Sequence, residues 1–249
     1  MKKIFYQLAL AALSLGSFAQ NFKVPKTTEV WEPLPKIVTP ATTPGGAPSD
    51  ATILFDGSNM NGWQHTKDKS ASKWLLKDGA MIAKKGTGEL MTKQEFGSFQ
   101  LHVEFNMPLD SKKVGYPDGG NSGVFLHGKY EIQIFDSYNN EVPIYANGMA
   151  GSVYKQVIPI ANAMLKPGEW NSYDIFFTAP KFRYNGSVET PAYVTVLMNG
   201  VMVLNHFEIQ GTIQYIGIPS YEYYSGKGPI ALQEHGSEVA FRNIWIRDL

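Results

Sequence analysis

Three short clusters hold the side chains that can do chemistry. In the first, Asn121-Ser122-Gly123-Val124-Phe125-Leu126 is followed by Tyr130-Glu131-Ile132-Gln133-Ile134-Phe135-Asp136. On an extended strand Glu131 and Gln133 share one face and Tyr130, Ile132 and Ile134 share the other. The apolar set packs inward, and the carboxylate and amide face an open side. Asp136 has the wrong parity to join them unless a bulge intervenes. In the second cluster Leu101, Val103 and Phe105 face one way, with Gln100, His102 and Glu104 opposite. An imidazole beside a carboxylate makes a tuned base, a metal ligand or a plain surface hydrogen bond. The third cluster, Gly228 to Gly236, closes with Gln233-Glu234-His235-Gly236, two acceptors and an imidazole next to a glycine that permits close approach. Just beyond it Arg242 interrupts the apolar run Phe241 to Ile246. A buried guanidinium needs a carboxylate, and Glu131 and Asp136 are suitable. Each cluster also has a plain structural reading, as solvated residues on an outer face or a salt bridge at a strand end.

Such side chains act together only if strands hold them, and the chain reads as strands. Alternating or β-branched and aromatic runs occupy residues 99–105, 123–126, 130–135, 173–178, 193–197, 201–207 and 239–246. Trp170, after Pro167-Gly168-Glu169, is expected to open a strand. Asp56-Gly57, Asp78-Gly79, Asn185-Gly186 and Asn199-Gly200 supply residues that tolerate positive φ in tight turns, the last between two apolar runs as a hairpin requires. Aromatic residues make up 13% of the chain, beside 24 Gly and 15 Pro, which argues against a helical bundle. No fixed period repeats, so a propeller is disfavoured. Residues 51–249 are predicted to form one all-β domain, two packed antiparallel sheets in a sandwich or jelly roll.

Composition removes other chemistries. With 22 basic and 22 acidic side chains there is no reason to expect nucleic acid or an anionic membrane surface as partner. The absence of cysteine excludes disulfides, thiolate metal sites and a thiol nucleophile. Gly86-Thr87-Gly88 opens like a dinucleotide loop, but Met91 stands where the third glycine is needed and no strand–helix unit surrounds it. At the amino terminus Lys2 and Lys3 precede an apolar run from Ile4 to Leu15, and Ser17-Phe18-Ala19 has a small-x-small pattern. Residues 1–19 are therefore expected to be a signal peptide, cleaved near Ala19 for export to the periplasm or beyond. The run is too short for a membrane span, which takes ~20 apolar residues. Residues 20–50, with Pro25, Pro33, Pro35, Pro40, Pro44 and Pro48, read as an extended leader or strap.

Taken together, these blocks resemble the exported bacterial 3-keto-disaccharide hydrolase family. The resemblance spans residues 52–249. It is carried by Leu54-Phe55-Asp56-Gly57 with Gly62-Trp63, Asn121-Ser122-Gly123 with Tyr130-Glu131-Ile132-Gln133, Lys166-Pro167-Gly168-Glu169-Trp170, and Leu232-Gln233-Glu234-His235-Gly236 with Phe241-Arg242-Asn243-Ile244-Trp245. It implies a concanavalin A-like jelly roll and an enzyme acting on 3-keto-glycosides or 3-keto-disaccharides. Lys129 stands where the family has Arg before Tyr-Glu, and Glu234 where it has Asp before His-Gly. Lys129 thereby gives up a bidentate fork toward substrate.

A ketone at C3 acidifies the hydrogen on C2, so a base can form an enolate that expels the group on C1. Such a site needs a base, a donor or cation for the enolate oxygen, and an acid for the departing oxygen. The resemblance and this chemistry put forward Glu131 or His235 as base and Arg242, Lys155 or a divalent metal ion beside the enolate. Glu234 or Asp136 would be the acid. Asn121, Gln133, Gln233, His102, Glu104 and Tyr154 would contact an oligosaccharide or keto-glycoside. Two other readings stand beside this one. Glu131-x-Gln133-x-x-Asp136 looks like the Glu-x-Asp-x-x-Glu strand of laminarinase-type retaining glucanases, in which two carboxylates act as nucleophile and acid. A non-catalytic carbohydrate-binding module would instead stack sugars on Trp63, Trp74, Tyr154, Tyr221, Tyr223 or Tyr224. Convergence of His235, Glu131 and Arg242 on one pocket separates enzyme from module.

Overall fold

The computed structural model describes residues 26, 28–114, 117–141 and 143–249. The expected signal peptide lies outside the described residues. Residues 28–37 have no regular secondary structure, and Val38–Leu249 form a separate compact unit. In chain order the strands are β1 (Thr52–Phe55), β2 (Trp63–His65), β3 (Leu75–Lys77), β4 (Ala80–Ile82), β5 (Leu90–Thr92), β6 (Phe99–Asn106), β7 (Ser122–Leu126) and β8 (Tyr130–Ile134). They continue with β9 (Trp170–Thr178), β10 (Lys181–Phe182), β11 (Val188–Thr190), β12 (Tyr193–Met198), β13 (Val201–Glu208), β14 (Ala231–Leu232) and β15 (Ala240–Asp248).

These make two antiparallel sheets and a small hairpin. The large sheet runs β13-β12-β9-β6-β15-β4-β3, with β1 also paired to β15; the small sheet runs β2-β5-β14-β7-β8; β10 and β11 pair alone. The protein is an all-β jelly-roll sandwich. Period-two patterning explains the layers. Along β9 Asn171, Tyr173, Ile175 and Phe177 are buried while the residues between them are not, and Val194, Val196 and Met198 do the same on β12. Tyr130, Ile132 and Ile134 of β8 meet Tyr173, Phe177 and their neighbours in one core. The type I′ requirement at the β12–β13 hairpin is met by Asn199 and Gly200, with φ of 53° and 78°.

The long predicted strands are present, and Trp170 opens β9. The short ones, β1 to β5, β10, β11 and β14, span two to four residues each and carry too little alternation to be read from sequence. Register breaks fall in β15 between Arg242 and Trp245, and also in the β1–β15, β10–β11 and β12–β13 pairings, whereas the β7–β8 pairing is unbroken. Trp63 and Trp74 are core residues rather than sugar platforms. Trp63 donates to the Leu54 carbonyl (2.8 Å), and Trp74 donates to Gly88 (3.0 Å) and stacks on Phe241.

Within this unit, the segment around Gly45 lies on the outer face of the large sheet, where the Gly45 carbonyl accepts from Asn243 Nδ2 and Trp245 Nε1, both at 2.9 Å. Asp50 pairs with Arg247 at 2.8 Å.

One hydrogen bond ties the two sheets together through the core: the Tyr173 hydroxyl of β9 donates to the Gln133 carbonyl of β8 at 2.7 Å. Burial pushes the Tyr173 hydroxyl well above its ordinary range, so it stays a donor. Tyr173→Phe is expected to lower stability by about 1 kcal/mol, a fall of roughly 2–4 °C in Tm by thermal melting, without loss of the fold.

Candidate active site

The open face of the small sheet carries the site. Gln64, Met91, Ala231, Phe125 and Glu131 stand in register across it. In the next row Gly123 lies opposite Gln133, and Gln233 hydrogen-bonds to Gly123 through its backbone N–H at 3.0 Å. Gly123 is required here because it has no side chain. A Cβ at that position would overlap the Glu131 carboxyl and come within 2.8 Å of Glu131 Cγ. Glu131 therefore leans into the space beside Gly123 and is only 5% exposed. Burial, with the like charge of Glu89 adding to it, pushes its pKa up to about 8. At neutral pH this group is a carboxylic acid able to donate.

The outer edge of β8 is covered by residues 151–154, with Ser152 and Glu131 carbonyls accepting from Gln133 and Tyr154 N–H groups at 3.0 and 3.1 Å. This brings Tyr154 beside Glu131. A second loop joins through Ile213, whose N–H donates to the Lys129 carbonyl at 3.1 Å, and Lys155 Nζ donates to the Tyr215 carbonyl at 2.7 Å. Between these walls lies a cavity of about 250 Å³ lined by Asn121, Phe125, Glu131, Gln133, Tyr154, Ile213, Tyr215, Gln233 and His235.

His235 is half-exposed at the mouth. Its Nδ1 is 3.3 Å from Asn121 Nδ2 and 3.6 Å from Asp118 Oδ1. Asn121 Nδ2 also donates to the Pro117 carbonyl at 2.7 Å, which identifies it as the amide nitrogen. Nδ1 thus has a donor and an acceptor in reach. With a proton on Nδ1 facing Asp118, Nε2 carries a lone pair and can act as a base. Gln133 Oε1 accepts the Ile134 N–H at 3.1 Å, so its amide nitrogen remains as a donor.

The structure brings together Glu131, His235, Asn121, Gln133, Gln233 and Tyr154 from the sequence-predicted residues. Lys155 stands behind the wall, its ammonium 4.1 Å from the Tyr215 ring centroid. The others lie elsewhere. Asp136 is buried beneath the neighbouring loop, with Oδ2 bound to Ser111 Oγ at 2.5 Å. Glu234 accepts the backbone N–H groups of Gly86, Gly88 and Gly236 at 3.0, 3.3 and 2.7 Å, so it positions loops, and it does not line the cavity.

Arg242, His102 and Glu104 sit on the outer face of the opposite sheet. Arg242 Nε bonds Glu104 Oε2 at 2.6 Å, correcting the pairing with Glu131 or Asp136, and its guanidinium lies 4.0 Å from the Trp170 ring centroid. His102 Nδ1 bonds Asp174 at 2.7 Å, and the ring stacks on Trp245. Parity was right for β6, but it does not say which sheet faces the substrate.

Sequence reading missed Glu89, Asp118, Phe125, Ile213 and Tyr215. Phe125 was legible, since it shares the open face with Glu131 across one hairpin. The rest arrive on loops with no period. Glu89 is half-buried, and burial and the Glu234 charge raise its pKa. Among the described residues no group of three or more His, Asp or Glu is arranged to hold a metal ion.

Because Glu131 binds its proton more tightly folded than unfolded, the folded chain holds more protons than the unfolded one between about pH 4.5 and 8, and its contribution to stability falls as pH rises through that window. Glu131→Gln is expected to leave Tm near wild type at pH 4.5 and raise it by about 3 °C or more at pH 8.5, measured by thermal melting.

The comparisons with known proteins agree with this architecture. The sequence profile described as the 3-keto-alpha-glucoside-1,2-lyase-like domain matches residues 50–247. A 3-keto-disaccharide hydrolase from Bacteroides thetaiotaomicron is 26% identical over 306 aligned positions spanning all of both chains. A crystal structure from Parabacteroides distasonis, of a protein provisionally named a glycosyl hydrolase, is 46% identical and superposes with a TM-score of 0.83, covering 90% of this chain and 96% of that one. Another protein from that organism, with the same provisional name, is 25% identical with a TM-score of 0.54, covering 80% and 99%. The chain belongs to the 3-keto-alpha-glucoside-1,2-lyase-like family.

Proposed function

We propose that this protein is an exported enzyme that cleaves the glycosidic bond of 3-keto-glycosides or 3-keto-disaccharides by elimination, with net hydrolysis. The observation that carries the reading is one cavity holding a carboxyl protonated at neutral pH, Glu131, and an imidazole backed by a carboxylate, His235 with Asp118, among three amides. His235 Nε2 takes the proton from C2 of the sugar. The electron pair moves to the C3 ketone as an enolate, whose oxygen accepts a hydrogen bond from the Gln133 amide. As the ketone re-forms, a C1–C2 double bond appears and the C1–O bond breaks, the departing oxygen receiving the Glu131 proton. Water then adds across C1–C2, its hydroxyl going to C1 and its proton to Glu131, while His235 returns a proton to C2. Asn121 and Gln233 orient hydroxyls.

A laminarinase-type pair is disfavoured because Asp136 is held by Ser111 away from the cavity and Gln133 fills the middle position. A purely sugar-binding role is disfavoured by the meeting of Glu131 and His235, although Arg242 does not join them.

Purified protein is expected to turn over a synthetic 3-keto-glucoside and leave its unoxidised parent intact; equal rates on both, or none on the keto compound, overturn the reading. His235→Gln and Glu131→Gln should each lower kcat by ~100-fold or more, and wild-type activity should fall as pH rises through about 8 and Glu131 loses its proton. Export predicts a mature chain beginning at Gln20 when the full sequence is expressed in a Gram-negative host, read by intact mass; retention of Met1 in the recovered protein counts against it.

A further inference from the structure

The cleft has two lobes. The inner one, about 250 Å³, is closed by Phe125, Glu131, Ile213 and Gln233. The outer one, about 280 Å³, is closed by Pro117, Ile144 and Tyr145. Asn121, Gln133, Tyr154, Tyr215 and His235 border both. The inner lobe has a carboxyl and an amide of its own, matched to a ring dense in oxygen. The outer lobe adds neither.

The wall of the outer lobe is aromatic and braced. The Lys155 ammonium lies 4.1, 5.3 and 5.7 Å from the ring centroids of Tyr215, Tyr145 and Tyr154. Its hydrogen bond to the Tyr215 carbonyl fixes the loop that carries that ring, and the Tyr145 and Tyr154 hydroxyls bond each other. A cation on one face of Tyr215 draws its π-electrons away from the other and favours an electron-rich ring stacked there. Tyr215 is 65% exposed and so has surface to offer. Asn121, Gln133 and His235, which could pair with a second sugar's hydroxyls, are shared with the inner lobe, where the keto ring would engage them.

We propose that the outer lobe is a site for an aromatic aglycone, making 3-keto-glycosides of arylalkyl or aryl alcohols better substrates than 3-keto-disaccharides. This rests on the reading above, in which the bond to be broken lies at His235, between the lobes.

An aryl glycoside would confuse recognition with leaving-group acidity. The probes are therefore the 3-keto forms of benzyl glucoside, methyl glucoside and a glucosyl-glucose disaccharide, all with alkyl alcohols departing. The benzyl compound is expected to show a KM about tenfold below the other two, and Tyr215→Ala to bring the three within about threefold. A disaccharide KM equal to or below the benzyl value, or a benzyl advantage that survives Tyr215→Ala, overturns the proposal. Calorimetric binding of the unoxidised benzyl and methyl glucosides separates the two readings. If no keto compound is turned over but benzyl binds at least fivefold more tightly, the aglycone lobe stands and the reaction falls; equal binding overturns the lobe.

Discussion

The Glu131 carboxyl occupies the space that Gly123 leaves by having no side chain, on the face of a strand whose opposite side is core. That placement raises its pKa to about 8 and makes a proton available at neutral pH. It also works against folding, because a buried carboxyl gains nothing from being ionised. The rest of the small sheet is arranged to bear this. Tyr130, Ile132 and Ile134 are fully buried behind Glu131, and Tyr173 ties the strand to the opposite sheet through the Gln133 carbonyl. Residues 151–154 cover the strand's outer edge, shielding the carboxyl and bringing in the tyrosine wall.

The two sheets use their polar faces differently. On the large sheet Arg242 and Asn243 donate to Glu104, His102 bonds Asp174, and the Gly45 carbonyl accepts from Asn243 and Trp245. That cluster holds a peptide segment against the sheet. On the small sheet the polar groups border an open cavity, into which the Glu131 carboxyl and the Gln133 amide are turned. Similar residue types thus serve attachment on one face and chemistry on the other. What separates them is whether protein covers them.

Loops complete the site. Glu234 gathers the Gly86–Gly88 turn through backbone N–H groups, which sets Glu89 near Glu131 and His235. The turn that begins like a dinucleotide loop thus holds a carboxylate of the protein itself. Asp118 and Asn121 meet His235 at one nitrogen, and the choice between them decides whether the imidazole offers a lone pair or a proton to the cavity. Carbohydrate chemistry suits such a site, in which one group must give a proton while another takes one.

Much of this was legible in sequence. Period-two alternation is a local property, set by where successive Cβ atoms point, so β6, β8, β9 and β12 and the shared face of Glu131 and Gln133 followed from residue order, and the apolar and aromatic runs of β13 and β15 marked those strands too. The Asn199-Gly200 hairpin was equally local, a matter of which residues tolerate positive φ. Alternation identifies the two faces of a strand without saying which neighbour each will meet. Arg242 could therefore be paired with the wrong carboxylate, and His102 and Glu104 could be grouped with a site on the other sheet. Asp136 and Glu234 have the right chemistry, yet Ser111 and three backbone N–H groups bind them, and neither lines the cavity. Asp118, Tyr215 and Glu89 reach the site only because loops distant in sequence close over one sheet. The sequence alone determined strands, turns and polar faces, because these depend on near neighbours. Tertiary structure decided which polar face stays open, which carboxyl is buried and protonated, and what stands beside it, because burial and pairing depend on residues far away along the chain.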